Sequence, residues 1–190
     1  MVTSVHGFPH LRESQVKAAD SGTLAFSHLL AHASGASWLA VGRPDLPDSN
    51  HARDTAFKKR LGRLLELDSI GLVVDIHGAH ACRPFDVDIG SMDQASWNGR
   101  LDLRDMLLGN LRQHGFYVTD NAVFKAHGSG PNAETVTKFC ASKGVPAVEL
   151  EVSNAFLTDL GGRMALHQNA KLANALVQFL EHAGRSGCLP

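Results

Sequence analysis

Two polar residues at the end of a buried strand are the first candidates for chemistry. The apolar segment that begins at Gly71 ends in Asp75-Ile76-His77, at the kind of strand end where α/β enzymes bind their ligands. Side chains alternate along a strand, so Asp75 and His77 share a face. A carboxylate bound to one imidazole nitrogen leaves the other free to hold a divalent metal. The alternative is a polar strand end that bonds a neighbouring loop.

A second histidine, His6, also ends an apolar strand, so two imidazoles from two strand ends could converge on one ion. A third ligand is needed, and the sequence offers two. Glu13 belongs to His10-x-x-Glu13, whose spacing places both groups on one face of a helical turn, as in zinc peptidases. Asp20 precedes a helical segment, where capping alone also explains an aspartate.

Two glutamates interrupt the apolar strand 145–152. Glu149 and Glu151 share one face of it, and a carboxylate on such a strand is costly to bury unless something binds it. We therefore expect one of them to meet a metal, a water or a base. The alternative is an edge strand with a solvated acidic face.

Short apolar strands alternate with amphipathic helices along the chain. This alternation predicts an α/β fold, with a mostly parallel or mixed central sheet and helices on both faces. Predicted strands cover 2–5, 38–41, 70–76, 116–119 and 145–152. Predicted helices cover 21–33, 55–67, 101–114, 133–142 and 166–182.

Length and composition define the class of protein. At 190 residues and a formal net charge of -1, we expect a single domain over 1–190 and no nucleic-acid partner, since scattered cations form no basic stripe. Three cysteines without a disulfide spacing indicate a reducing compartment. The first residues show no signal-peptide pattern and the apolar runs are short, so we expect a cytoplasmic protein that does not enter a membrane.

The order of several short motifs resembles the N-formylglutamate amidohydrolases, which are related more distantly to zinc carboxypeptidases and aspartoacylases. The resemblance extends over about residues 4–157. Its motifs are His6-Gly, Asp20-x-Gly-Thr, Asn50 in a Pro-rich loop, Asp75-x-His77, Asp88-x-Gly90, Asn121-x-x-Phe124-Lys125 and Glu149-x-Glu151.

The resemblance implies a fold like that of the zinc carboxypeptidases (phosphorylase/hydrolase-like). It implies Zn²⁺ held by His6, His77 and an intervening acid, for which the Asp-x-Gly-Thr context favours Asp20 over Glu13. It also implies that Glu151 is the general base in hydrolysis of an amide by a zinc-activated water.

The implied substrate is a small N-acyl amino acid or a short peptide. Its carboxylate would lie near Asn50 and either Arg43 or Arg53, and the substrate-binding residues would include Asp88, Asn121 and Lys125. This chain departs from the family pattern in two places: Asn50 is followed by His51 rather than arginine, and Ala126-His127 replaces a Gly-Gly pair. A carboxypeptidase-like or deacylase activity on another amide, or a metal-free binding domain of the same fold, are the alternatives.

Overall fold

A computed structural model describes residues 1–44, 47–157 and 162–185. The strands are β1 (Val2–Ser4), β2 (His10–Arg12), β3 (Gln15–Lys17), β4 (Trp38–Ala40), β5 (Val73–Ala79), β6 (Val87–Gly90), β7 (Val118–Asp120) and β8 (Ala147–Ser153). The α-helices are α1 (Thr23–Ser34), α2 (Ala56–Leu67), α3 (Leu101–Gln113), α4 (Val136–Ser142) and α5 (Gly162–Arg185).

The central sheet has six strands in the order β4-β1-β5-β8-β6-β7. The pairs on the β4 side of β8 are parallel, whereas β6 runs antiparallel to β8 and carries β7 parallel to itself. This mixed, mostly parallel sheet confirms the expected fold class. Strands β2 and β3 form a separate antiparallel hairpin.

The two faces of the sheet are covered by different helices. On one face, apolar side chains such as Ile76 and Leu150 belong to a core that also contains residues of α1, α3 and α5. On the other face, Val73 and Ala147 pack with residues of α2 and α4. Further along this second face the strand side chains become polar, which brings carboxylates and imidazoles to one end of the sheet.

The strand that carries His77 continues beyond residue 76, where the sequence predicts its end. The predicted strand 70–76 is β5 in the structure, so Asp75 and His77 lie within the strand rather than at its limit. Continued pairing with β8, up to Ala79 opposite Ser153, extends the strand. This pairing fixes the register of the polar side chains.

Three strands were not expected from the sequence. The hairpin β2–β3 is short and its second strand is exposed, so it lacks the alternation of a half-buried strand. Strand β6 includes Asp88 and Gly90, which disfavour a strand in isolation. Tertiary pairing with β7 and β8 overrides that local preference.

The predicted helices are present with shifted ends. Helix α4 begins at Val136 instead of residue 133, because Thr135 caps it by accepting a hydrogen bond from the Lys138 amide at 3.0 Å. Thr55 caps α2 in the same way. Helix α5 begins at Gly162, before the expected residue 166. None of the helices in the described part of the chain is long and apolar enough to cross a membrane.

Candidate metal centre and active site

Two imidazoles and one carboxylate meet at the polar end of the sheet. His6 follows β1, Asp20 precedes α1 and His77 belongs to β5. The Nδ1 atoms of His6 and His77 lie 3.5 and 3.4 Å from Oδ2 of Asp20. Ligand atoms at about 2.0–2.1 Å from a tetrahedral zinc ion are about 3.3 Å apart. The three side chains therefore have the donor types of a zinc site, and their donor atoms, all within 4.8 Å of one another, could hold a metal ion.

The far nitrogen of each imidazole is held by a second carboxylate. His6 Nε2 lies 2.8 Å from Asp48 Oδ1, and His77 Nε2 lies 2.9 Å from Asp75 Oδ2. The other oxygen of Asp75 accepts the hydroxyl of Thr3 at 2.6 Å. A proton on Nε2 leaves the lone pair of Nδ1 pointing at the Asp20 side, which is the tautomer that a metal ligand needs.

Asp20 belongs to this centre and does not cap α1. The N-cap of the helix is Gly22, in a left-handed conformation, without a side-chain hydrogen bond. The Asp20 carboxylate instead accepts the Gly78 amide at 3.2 Å. A Cβ at Gly78 would lie 2.8 Å from the Asn154 amide oxygen and 3.2 Å from the Asp20 Cβ, so only glycine leaves room for this approach.

Glu13, the rival third ligand, lies elsewhere. The segment His10-x-x-Glu13 is part of the β2–β3 hairpin and not a helical turn. The Glu13 side chain is 71% exposed and faces His51 at 3.5 Å. The structure thus groups Asp20, and not Glu13, with the two histidines.

The charges of the three groups are strongly coupled. Burial opposes ionisation of Asp20, but hydrogen bonds to His6 and His77 outweigh it and hold the pKa of the carboxyl well below its usual range. Burial also lowers the pKa of each imidazole, yet the carboxylates around them raise the pKa of His6 and raise that of His77 further. The centre therefore stabilises positive charge on the two rings.

Glu149 and Glu151 lie beside the histidines because of the strand register. In the β5–β8 pair, Glu149 is opposite Asp75 and Glu151 is opposite His77. Glu149 accepts the Asn50 side-chain amide at 3.2 Å. The alternative of an edge strand with a solvated acidic face is wrong, since both glutamates are buried on an interior strand.

The Asn50 side chain is fixed at both ends. Its Oδ1 accepts the Val136 amide at 2.8 Å, which directs Nδ2 towards Glu149 and to within 3.4 Å of His77 Nε2. Asn50 lines the cavity above the centre, and its role in binding substrate stays a prediction.

Glu151 has a different environment from Glu149. Its side chain receives no hydrogen bond from the residues that the structure describes, and the residue is only 8% exposed. Burial raises the pKa of Glu151 to about 8; His77 opposes this rise and Glu149 adds to it. The carboxyl can therefore both take up and release a proton near neutral pH.

A cavity of about 480 Å³ opens over these groups. Its floor includes His6, His77, Glu149 and Glu151. Its walls come from the β2–β3 hairpin, the loop around Asn50 and the segment 123–129. Its volume is in the range of ordinary ligand pockets.

Arg43 and Arg53, expected near the substrate carboxylate, do not line this cavity. Arg43 lines a separate pocket beside the start of α2, and Arg53 donates to the Pro131 carbonyl at 3.4 Å on the surface. Arg12 lines the cavity instead, together with Lys125. Arg12 Nε bonds Asp48 Oδ2 at 2.6 Å, and Lys125 Nζ contacts Asp93 at 3.0 Å.

Asp88 and Asn121, two expected substrate-binding residues, hold loops. Asp88 is fully buried, and its oxygens accept the Thr119 hydroxyl and the amides of residues 122–124 at 2.7 to 3.3 Å. Asn121 Oδ1 accepts the amides of Ser91 and Asp93. Both residues therefore shape the wall that carries Phe124 and Lys125, and neither lines the cavity.

Two residues of the site escaped the sequence analysis. Asp48 lies two residues before Asn50 in the Pro-rich loop, and Arg12 lies two residues after His10. If His10-Leu11-Arg12 is a strand, the side chains of His10 and Arg12 share a face, but three residues are too few for their alternation to predict a strand. The contact between Arg12 and Asp48 joins residues 36 apart in sequence, which no local pattern predicts.

Several solved structures share this fold. No protein-family profile matches the chain, and no curated protein matches it in sequence. The N-formylglutamate amidohydrolase of Ralstonia eutropha JMP134 superposes with a TM-score of 0.67 at 11% identity, covering 97% of this chain and 94% of that one. A gene product of Agrobacterium tumefaciens has the same TM-score at 15% identity, covering 98% and 90%.

A bacteriophage poly-γ-glutamate hydrolase is also similar, with a TM-score of 0.55 at 15% identity over 98% of this chain and 84% of that one. The chain therefore has the fold of the N-formylglutamate amidohydrolases, the family that its motifs resemble.

Proposed function

We propose that this protein is a zinc-dependent amide hydrolase of the N-formylglutamate amidohydrolase type, which cleaves the amide bond of an N-acyl amino acid. The observation that carries the proposal is the convergence of His6, Asp20 and His77 at the base of a cavity that His6, His77 and Glu151 line. The shared fold with N-formylglutamate amidohydrolase supports it.

The donor set fits zinc in its chemistry as well as its spacing. Two neutral imidazole nitrogens and one carboxylate oxygen form a three-ligand set of the type that catalytic zinc sites use. When bound, zinc would supply Lewis acidity towards the amide carbonyl and lower the pKa of a water molecule. Asp48 and Asp75 would hold the two rings in the required tautomer.

Glu151 is the proposed general base. As the carboxylate, it would take a proton from the attacking water and deliver it to the nitrogen of the leaving amine, so the carboxylate is restored at the end of the cycle. Its burial and its raised pKa, about 8, support both directions of transfer. Glu149, bonded to Asn50, is less free to move towards the substrate.

Arg12 is the proposed anchor for the substrate carboxylate. Only its Nε takes part in the bond to Asp48, and the residue lines the cavity close to the hairpin. Its two terminal nitrogens are available for a bidentate contact with a carboxylate. Lys125 would add a second positive charge on another wall.

The test combines turnover with metal content. Release of free amine from N-formyl-L-glutamate and from a panel of other N-acyl amino acids is measured for the wild type and for Glu151→Gln. The variant should lose about 10²- to 10⁴-fold in rate while keeping its zinc. Loss of zinc from Glu151→Gln would instead make Glu151 a ligand, and a metal-free wild type without a thermal shift on adding zinc would support the binding domain.

A peptide substrate is the second candidate. The cavity, at about 480 Å³, is open and roomy, and the chain resembles a poly-γ-glutamate hydrolase in fold. Short peptides and γ-glutamyl peptides therefore belong in the same panel. Faster hydrolysis of a peptide than of every N-acyl amino acid would select a carboxypeptidase-like or deacylase activity.

A further inference from the structure

A second group of metal-ligating side chains lies directly beside the first. His10 stacks on His6, with ring centroids 3.8 Å apart and planes inclined by 6°. His10 Nε2 is 3.8 Å from Asp48 Oδ2, while His6 Nε2 is 2.8 Å from Asp48 Oδ1. All three residues are buried, and their donor atoms lie within 4.8 Å of one another. The donor set, two imidazoles and a carboxylate, is again one that suits a divalent transition metal.

Arg12 already fills the position that a cation would take in this second group. Its Nε donates to Asp48 Oδ2 at 2.6 Å, the same oxygen that faces His10. A guanidinium remains charged at any ordinary pH, so it repels a metal ion from this carboxylate and also occupies its lone pair. Among the described residues, no lysine or arginine pairs with Asp20 Oδ2; its neighbours are the Gly78 amide at 3.2 Å and the Nδ1 atoms of His6 and His77, which can themselves bind a metal ion.

We propose that Arg12 closes the group formed by His10, Asp48 and His6 to metal ions, and that loss of Arg12 opens a second site for a divalent transition metal on His10 and Asp48. The inference rests on the proposed function only in assigning the first ion to His6, Asp20 and His77. It explains why two adjacent donor sets would yield a centre with one metal ion.

The experiment counts zinc bound to each variant. Protein is incubated with a small excess of zinc, freed of unbound metal by gel filtration and analysed for zinc per chain. The wild type should hold about one ion and Arg12→Met about two. Arg12→Lys keeps a positive charge and should remain at about one. Arg60→Met, on the exposed face of α2, is the matched control and should also hold about one.

A double variant identifies the ligands of the extra ion. Adding His10→Phe to Arg12→Met keeps a ring stacked on His6 but removes the nitrogen donor, so the count should return to about one. If Arg12→Met does not fold by circular dichroism, Arg12→Gln replaces it, because it also removes the charge; the same count is expected.

The outcomes separate this inference from the proposed function. A wild type that binds two ions, or a folded Arg12→Met that binds no more than the wild type, overturns the inference. A wild type without zinc contradicts the proposed function alone. Even then, the inference predicts that Arg12→Met binds one more zinc ion per chain than the wild type does. It also predicts that the double variant does not bind this extra ion.

Discussion

Asp48 accepts a hydrogen bond from His6 at 2.8 Å, and this one contact orients the imidazole for its role in the centre. Burial would raise the pKa of Asp48, but His6 and Arg12 hold it well below the usual range of a carboxyl. The carboxylate thus stays ionised and keeps the proton of His6 on Nε2. When a metal ion replaces the proton on Nδ1, the lone pair of this atom is directed towards the Asp20 side of the ring.

Replacing Asp48 by Asn should weaken zinc binding by about 10- to 100-fold. The side-chain amide of asparagine is nearly isosteric with the Asp48 carboxylate, but it lacks the negative charge that fixes the tautomer of His6. Zinc affinity is measured by competition with a chromophoric chelator. Asp54→Asn, at a residue 76% exposed, is the control and should bind zinc as the wild type does. Equal affinities for Asp48→Asn and the wild type would show that Asp48 does not act on the centre.

Glu151 should make the metal-free protein less stable at high pH. Its pKa of about 8 in the folded protein exceeds the 4.5 of an unperturbed glutamate. The folded state therefore holds the proton more tightly than the unfolded chain. The stability that this provides is fully present below pH 4.5 and is lost as the pH rises through about 8.

Metal-free Glu151→Gln lacks this loss, since glutamine does not titrate. The free energy of unfolding in urea, measured at pH 5, 7 and 9, should fall with pH less steeply for the variant, by an amount on the order of a few kcal/mol. The control is Glu66→Gln, at an exposed residue of α2. Parallel pH profiles for Glu151→Gln and the wild type would contradict the raised pKa.

The sequence predicts the centre better than it predicts the walls of the cavity. His77 and Glu151 lie on strands and His6 directly follows one; the apolar neighbours and the period of two define the direction of these side chains, so their convergence follows from a parallel arrangement. Arg12 enters the cavity on a short exposed hairpin, and its partner Asp48 lies in an irregular loop. Such contacts depend on tertiary packing between loops, which local patterns do not encode.

The dependence on packing between loops also explains why several predicted substrate-binding residues do not line the cavity. Asp88 follows an apolar residue in a short motif, as a ligand-binding residue would, but its carboxylate accepts three backbone amides. The number of unsatisfied amides in a neighbouring loop cannot be read from sequence spacing. Arg43 and Arg53 flank Asn50 in sequence, whereas the turn of the loop directs only Asn50 into the cavity.

Arg12→Met should raise KM for a substrate that carries a free carboxylate. Loss of a charge-assisted contact costs about 1.5–3 kcal/mol, so kcat/KM should fall by about 10- to 100-fold. Arg43→Met and Arg53→Met should change it less than about 3-fold, because neither residue lines the cavity. A substrate whose carboxylate is replaced by a carboxamide separates the two roles of Arg12. For this substrate, Arg12→Met should change kcat/KM little, because there is no carboxylate for Arg12 to bind. An equal loss of kcat/KM for both substrates would show that Arg12 acts only through Asp48.

Lys58→Met should destabilise the protein by about 1–3 kcal/mol for each of the two carbonyl oxygens that lose their donor. Lys58 is 2% exposed, and its ammonium donates to the Ala52 carbonyl at 2.7 Å and to the Glu134 carbonyl, with the Glu134 carboxylate 3.4 Å away. These bonds join the loop after Asn50 to the loop before α4, which both line the cavity.

The neighbouring lysine provides the control for this substitution. Lys59 pairs with Asp54 at 2.7 Å on the surface, so Lys59→Met should change the free energy of unfolding by less than about 1 kcal/mol. Urea unfolding of the two variants at one pH measures the difference directly. Equal effects of the two substitutions would mean that the buried ammonium of Lys58 does not hold the two loops together. The contact between the loops would then depend on the Glu134 amide, which donates to the His51 carbonyl at 2.9 Å.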